Sequence, residues 1–208
     1  NHTANLSSHT EYYKADLSLA GNFIVEPGGL VDVSGRGFPS RYGPGMNTYS
    51  SGASHGGQGV NGNSCYGSIV FPTNLGSGAW DGGTGGGSVR MSISGLFRNE
   101  GNVRANAAER TSVTGSGGTI NITAGAIAGT GSIEANSATN VTGSYPGGGG
   151  RIALTVTNAD EDFSYYSGPI TAYGGRSKRT PYTTYPSGGA GTIYLREASQ
   201  GLYEGSLL

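Results

Sequence analysis

The sequence is short of charge and shorter still of cysteine. Asp, Glu, Lys and Arg make up 12% of the residues and the formal net charge is −1, where a typical soluble domain carries about 25% charged residues. Such a chain has no electrostatic footprint for nucleic acid, whose partners carry strongly basic domains. A lone Cys65 excludes an intrachain disulfide framework. It leaves the compartment open, because a long stacked core does not need such bridges. Three histidines, His2, His9 and His55, have no metal-ligand spacing to one another or to the cysteine. No apolar run reaches the ~18 residues of a membrane-spanning helix. The opening Asn1-His2-Thr3-Ala4 is not a signal peptide and reads as the start of a processed or excised piece.

Glycine is what the chain has in excess, at 41 of 208 residues, against about 7% in ordinary proteins. High glycine with low charge fits either disorder or an all-β repeat. Thirteen tyrosines and many Val, Ile and Thr favour ordered β-structure, because these residues suit a pleated, half-buried surface.

A repeat organises the chain. Gly86-Gly87-Ser88-Val89-Arg90-Met91, Gly117-Gly118-Thr119-Ile120-Asn121-Ile122, Gly149-Gly150-Arg151-Ile152-Ala153-Leu154 and Ala190-Gly191-Thr192-Ile193-Tyr194-Leu195 share one pattern, a small hinge followed by polar, apolar, any, apolar. Their equivalent residues Val89, Ile120, Ile152 and Ile193 are 31, 32 and 41 positions apart. A second segment follows at Gly101–Ala105, Gly131–Ala135 and Gly168–Ala172, centred on Val103, Ile133 and Ile170. A diverged early copy places Leu17 and Leu19 in the first segment and Val31 in the second. Short stretches at Phe23-Ile24-Val25, Leu96-Phe97-Arg98 and Ala126-Ile127-Ala128 lie between the two. A unit of three short strands buries its inner face only by stacking on its neighbours. The expected fold is therefore all-β: a single-domain, right-handed parallel β-solenoid with three short strands per coil, about five coils and long loops on one side. Glycine is expected at the corners, where positive φ is needed. A β-sandwich of short strands is the alternative.

The expected organisation is an N-terminal arm or cap at 1–14, the solenoid at 15–197 with a long insertion at 36–85, and a C-terminal tail or cap at 198–208. The loops emerge on one side and carry Arg41, Tyr42, Tyr49, Tyr145, Arg176, Arg179, Tyr182 and Tyr185. Tyrosine and arginine in this density suit a glycan or another partner. They equally suit the plain task of covering glycine-rich loops. Sequons at Asn1, Asn5, Asn121 and Asn140 are glycosylation candidates, and Asn121, in an outward row with Arg90 and Tyr194, has room for a glycan. Asp160-Glu161-Asp162 reads as a solvated turn, with Ca²⁺ as the weaker alternative. No other metal and no cofactor is expected. Asp32, Arg104 and Glu134 fall in one outward row and should form an acid–base–acid ladder.

The combined order of Tyr66-Gly67-Ser68, Pro72–Gly78, Gly85–Gly95, Gly147–Leu154, Ile170–Gly175 and Gly189–Leu195 resembles the glycine-rich parallel β-helix repeat regions of very large secreted or surface proteins of bacteria and protists. The resemblance spans roughly residues 15–197. It implies an extracellular or cell-surface location and carries no catalytic residue. The expected function is a non-catalytic structural or adhesive module, self-associating into a filament or meeting other surface proteins. A glycan-binding module is the second reading. A polysaccharide lyase or hydrolase on a β-helix is the third.

Overall fold

A computed structural model describes the chain apart from residues 1–3, 6–9, 12, 13, 48, 49, 110, 111, 140–144 and 179–186. The described residues contain strands and no helix. Strand β1 (Ala4–Asn5) pairs antiparallel with β2 (Thr10–Glu11). The rest of the strands fall into two parallel sheets, apart from one antiparallel strand at the C-terminal end.

The short sheet contains β5 (Leu30–Asp32), β7 (Asn102–Arg104), β9 (Ser132–Glu134) and β11 (Ile170–Thr171), each parallel to the next. Its pairs are like on like: Val31 opposite Val103, Val103 opposite Ile133, and Ile133 opposite Ile170. The long sheet contains β3 (Ala15–Leu19), β4 (Phe23–Val25), β6 (Ser88–Asn99), β8 (Thr119–Ala128), β10 (Arg151–Val156) and β12 (Thr192–Arg196), closed by β13 (Ser206–Leu207). Val89, Ile120, Ile152 and Ile193 pair in sequence, as do Met91, Ile122, Leu154 and Leu195. All three expected ladders are thus present.

Alternation turns these side chains to a shared interior. Val89, Met91, Val103, Ile120, Ile122, Ile133, Ile152 and Leu154 belong to one continuous cluster with Ile127 and Phe97. Ile120, Ile133 and Ile152 are completely buried, and each such burial contributes ~1.5–3 kcal/mol. Phe23 stacks on Phe97 with centroids 6.2 Å apart, joining β4 to β6 across the first layer.

Two details differ from the sequence pattern. The first and middle stretches of a repeat run together as single strands in β6 and β8, bending at a register shift between Ile93 and Leu96. The shift leaves β6 with one more residue than β8 between the flanking pairs Ile93–Ala124 and Leu96–Ala126. The Gly95 amide donates to the Gly21 carbonyl and the Leu96 amide to Asn22 Oδ1. In the first copy, Leu17 pairs with Met91 and Leu19 with Ile93. Ala15 therefore stands where Val89 stands in the next copy, one inward position earlier than the leucines suggested.

The glycine runs have a different purpose from the expected corners. Positive φ occurs at Gly28, Gly35, Gly43, Gly67, Gly82 and Gly129, and at none of the glycines in 85–87, 115–118, 147–150 and 188–191. These runs lie side by side instead. The Gly86 amide donates to Ser116, that of Gly117 to Gly148, and that of Gly149 to Gly189. The next residue in three runs donates the other way, Gly118 to Ala105, Gly150 to Ala135 and Gly191 to Ala172. A Cβ on Gly117 would fall inside the contact distance of the Ala135 carbonyl and the Gly150 nitrogen. The runs are glycine because backbone meets backbone on both sides.

Candidate functional site

The outer face of the long sheet should be polar and wet, yet every residue of β10 is buried. The insertion covers part of that face. One outward row consists of Ser88, Thr119, Arg151 and Thr192, paired in register. Three of its side chains grip carbonyls of the insertion. Ser88 Oγ donates to Thr73 at 3.1 Å, Thr119 Oγ1 to Asn74 at 2.7 Å, and Arg151 Nε to Tyr66 at 2.8 Å. In the next outward row, Asn121 Nδ2 donates to Pro72 at 3.1 Å. Residues 66–74 therefore lie across the strands as a strap, and Glu11 Oε1 holds its end by accepting from the Leu75 amide.

A second part of the insertion, 52–58, lies on the glycine runs. The Gly57 amide donates to Gly149, Gly148 to Ala53, and Gly189 to Gln58. His55 is completely buried there. Its Nδ1 lies 3.0 Å from the Gly117 carbonyl, and its Nε2 has no partner among the described residues. The tautomer with the proton on Nδ1 satisfies that carbonyl. Burial lowers the His55 pKa to about 4, and nearby Arg151 adds to the effect.

The Tyr66 ring packs on His55 with centroids 4.7 Å apart, and its hydroxyl donates to the Leu75 carbonyl at 2.6 Å. Burial of that hydroxyl pushes its pKa up. Arg151 is 5% exposed, and no carboxylate lies within ion-pair distance of it among the described residues. Its Nη1 donates to Thr192 Oγ1 at 3.0 Å. Burial lowers its pKa as well. Neutral His55 is what makes this placement tolerable, since two cations buried together would repel. This cluster locks the insertion in place.

The residues singled out for partner binding separate. Tyr49, Arg179, Tyr182 and Tyr185 lie outside the described residues. Tyr145 is partly buried and packs on Ala53, Ala79 and Val113, a second small core. Arg41 is exposed, lies 4.7 Å over the Trp80 ring and donates to the Trp80 carbonyl. Tyr42 is partly exposed and Arg176 is exposed.

Of the sequons, Asn1 and Asn140 lie outside the described residues, and Asn5 stands in β1. Asn121 requires a correction. Its row is outward as expected, with Arg90 opposite Asn121, but the strap covers it and leaves it 7% exposed. A glycan on its Nδ2 would have to displace Pro72.

Asp160, Glu161 and Asp162 do not form a metal-holding group, and no such group of three His, Cys, Asp or Glu occurs among the described residues. Asp162 Oδ1 instead accepts from the Ser164 amide in a local turn. The expected row of Asp32, Arg104 and Glu134 is in register. Only its second pair is an ion pair, with Arg104 Nε 3.6 Å from Glu134. Asp32 turns back to accept from the Ser34 amide at 2.7 Å.

No protein-family model, curated protein or solved structure matches this chain. Of its notable residues, Ser88, Thr119 and Arg151 stand out in the sequence only as outward positions of the repeat, and Asn121 only as a sequon. His55 and Tyr66 sit in the insertion, which has no repeat to flag them.

Proposed function

We propose that the chain is a non-catalytic β-solenoid module of an extracellular or cell-surface structure, with a structural or adhesive task. The observation that carries this reading is the like-on-like parallel register of three ladders across successive copies. Stacking of equivalent side chains along one axis is what a solenoid requires. The resemblance to repeat regions of giant surface proteins points the same way.

The two ends bear on assembly. At one end β13 pairs antiparallel with β12 and occupies its outer edge. At the other, β3 and β5 are the marginal strands of their sheets. Leu30 and Ile24 there are 54% and 47% exposed. Open strand margins invite pairing. Head-to-tail stacking requires β13 to leave, so pairing between two β3 margins is the favoured contact, giving a closed dimer rather than a filament.

Light scattering over a concentration series, with electron microscopy of the same material, tests this. An elongated particle that dimerises supports the reading. A compact globule that stays monomeric at high concentration overturns it.

A further inference from the structure

The strap shows what the outer face of the long sheet can hold: a chain whose acceptors meet side chains from β6, β8 and β10. Four residues further along the same strands, the same chemistry stands unused. Ser18, Ser92 and Thr123 pair in register, one hydroxyl per strand. None of the three hydroxyls has a hydrogen-bond partner among the described residues. They line a groove of about 420 Å³ with Arg90, Met91, Asn121, Phe71 and Thr73.

The groove's wall is part of the fixed strap. Pro72 is held by Asn121, and the Phe71 amide donates to Ser68 Oγ at 3.0 Å. Phe71 is nevertheless 49% exposed, an aromatic ring presented beside a row of hydroxyls. Arg90 is bound to Asp16 by two contacts, Nε to Oδ1 at 3.2 Å and Nη2 to Oδ2 at 2.8 Å. The pair neutralises both charges and fixes the guanidinium plane.

We propose that this groove binds an extended, uncharged polysaccharide. The inference deepens the adhesive part of the reading above and rests on it. Adjacent strands are ~4.8 Å apart, close to the length of one pyranose unit in an extended glycan. Successive hydroxyls therefore meet successive sugars, and the Phe71 face receives one ring by stacking. The groove's only ion pair is internally balanced, so the ligand carries no charge. A peptide is a poorer match. Extended peptides are recognised by backbone pairing at a free strand edge, and this floor offers side chains of paired strands.

The test is a titration of the purified chain with neutral hexasaccharides of glucose, mannose, xylose and N-acetylglucosamine, followed by amide NMR shifts. At least one hexaose should move the amides of Ser18, Ser92 and Thr123. Phe71→Ala should weaken that binding about tenfold, the loss of one ring contact worth ~1.4 kcal/mol. Ser92→Ala with Thr123→Val should abolish it, and Tyr173→Ala, at an exposed ring outside the groove, should leave it unchanged. Salt should have no effect. Absence of any shift, shifts indifferent to Phe71, or preference for an acidic oligosaccharide lost at high salt each overturns the proposal. A rod-shaped dimer that ignores every hexaose loses the groove and keeps the module; a compact monomer loses the module whatever it binds.

Discussion

The aliphatic column and the glycine wall are two solutions to one packing problem. Both are buried, and both stack equivalent residues of successive repeats. In the column, Ile120 and Ile152 fill the interior with side chains and are completely buried. In the wall, Gly117 and Gly149 bring backbones together with no side chain between them. The column is held by area removed from water. The wall is held by hydrogen bonds between main chains that no water reaches. Removing atoms therefore damages the first, and adding atoms damages the second.

The largest expected effect tests that inversion. Gly117→Ala adds one methyl group where the Ala135 carbonyl and Gly150 nitrogen leave no room. It should cost more than Ile152→Ala, which removes three carbons from the column at about 2–5 kcal/mol. Urea denaturation of both variants gives the ranking. A Gly117→Ala chain as stable as the parent would end the idea of a backbone-packed wall.

Next comes acid. His55 has a folded pKa of about 4 against an ordinary 6.5. The unfolded chain binds a proton between these values and the folded chain does not, so stability falls as the pH drops from 6.5 towards 4. Above pH 6.5 the group contributes no slope. The loss across the window is on the order of 3 kcal/mol. His55→Gln should flatten the stability profile over that window, as thermal melts at stepped pH would show.

A smaller effect is expected at the strap. Thr119→Val keeps the shape and leaves the Asn74 carbonyl without its 2.7 Å donor. It should cost ~1–3 kcal/mol, and hydrogen exchange should rise first at residues 73–75. Gly21→Ala should be nearly silent, within about 0.5 kcal/mol. A Cβ there meets nothing within 4 Å, unlike one at Gly117. Comparable damage at both glycines would show that glycine content in general, rather than close backbone approach, is what the fold requires.

The three ladders can be read from the residues alone, because the interval between repeats and the two-residue alternation of a strand are local properties. Val89, Ile120, Ile152 and Ile193 align by pattern, and they pair in that order. Leu17 and Leu19 fit the pattern equally well in either register, and their pairing with Met91 and Ile93 is visible only in three dimensions. The purpose of the glycine runs was hidden too, because a glycine at a corner and a glycine between two backbones look alike in one dimension.

The outer face is legible only in three dimensions. Ser88 and Ser92 are both outward serines of one strand, alike by every sequence criterion. One grips Thr73 under the strap, and the other stands free in the groove. Asn121 lost its place as a glycan acceptor for the same reason. Which outward rows are covered depends on the path of residues 66–74. That path is set by contacts with residues up to 85 positions away in the chain, which no local pattern records.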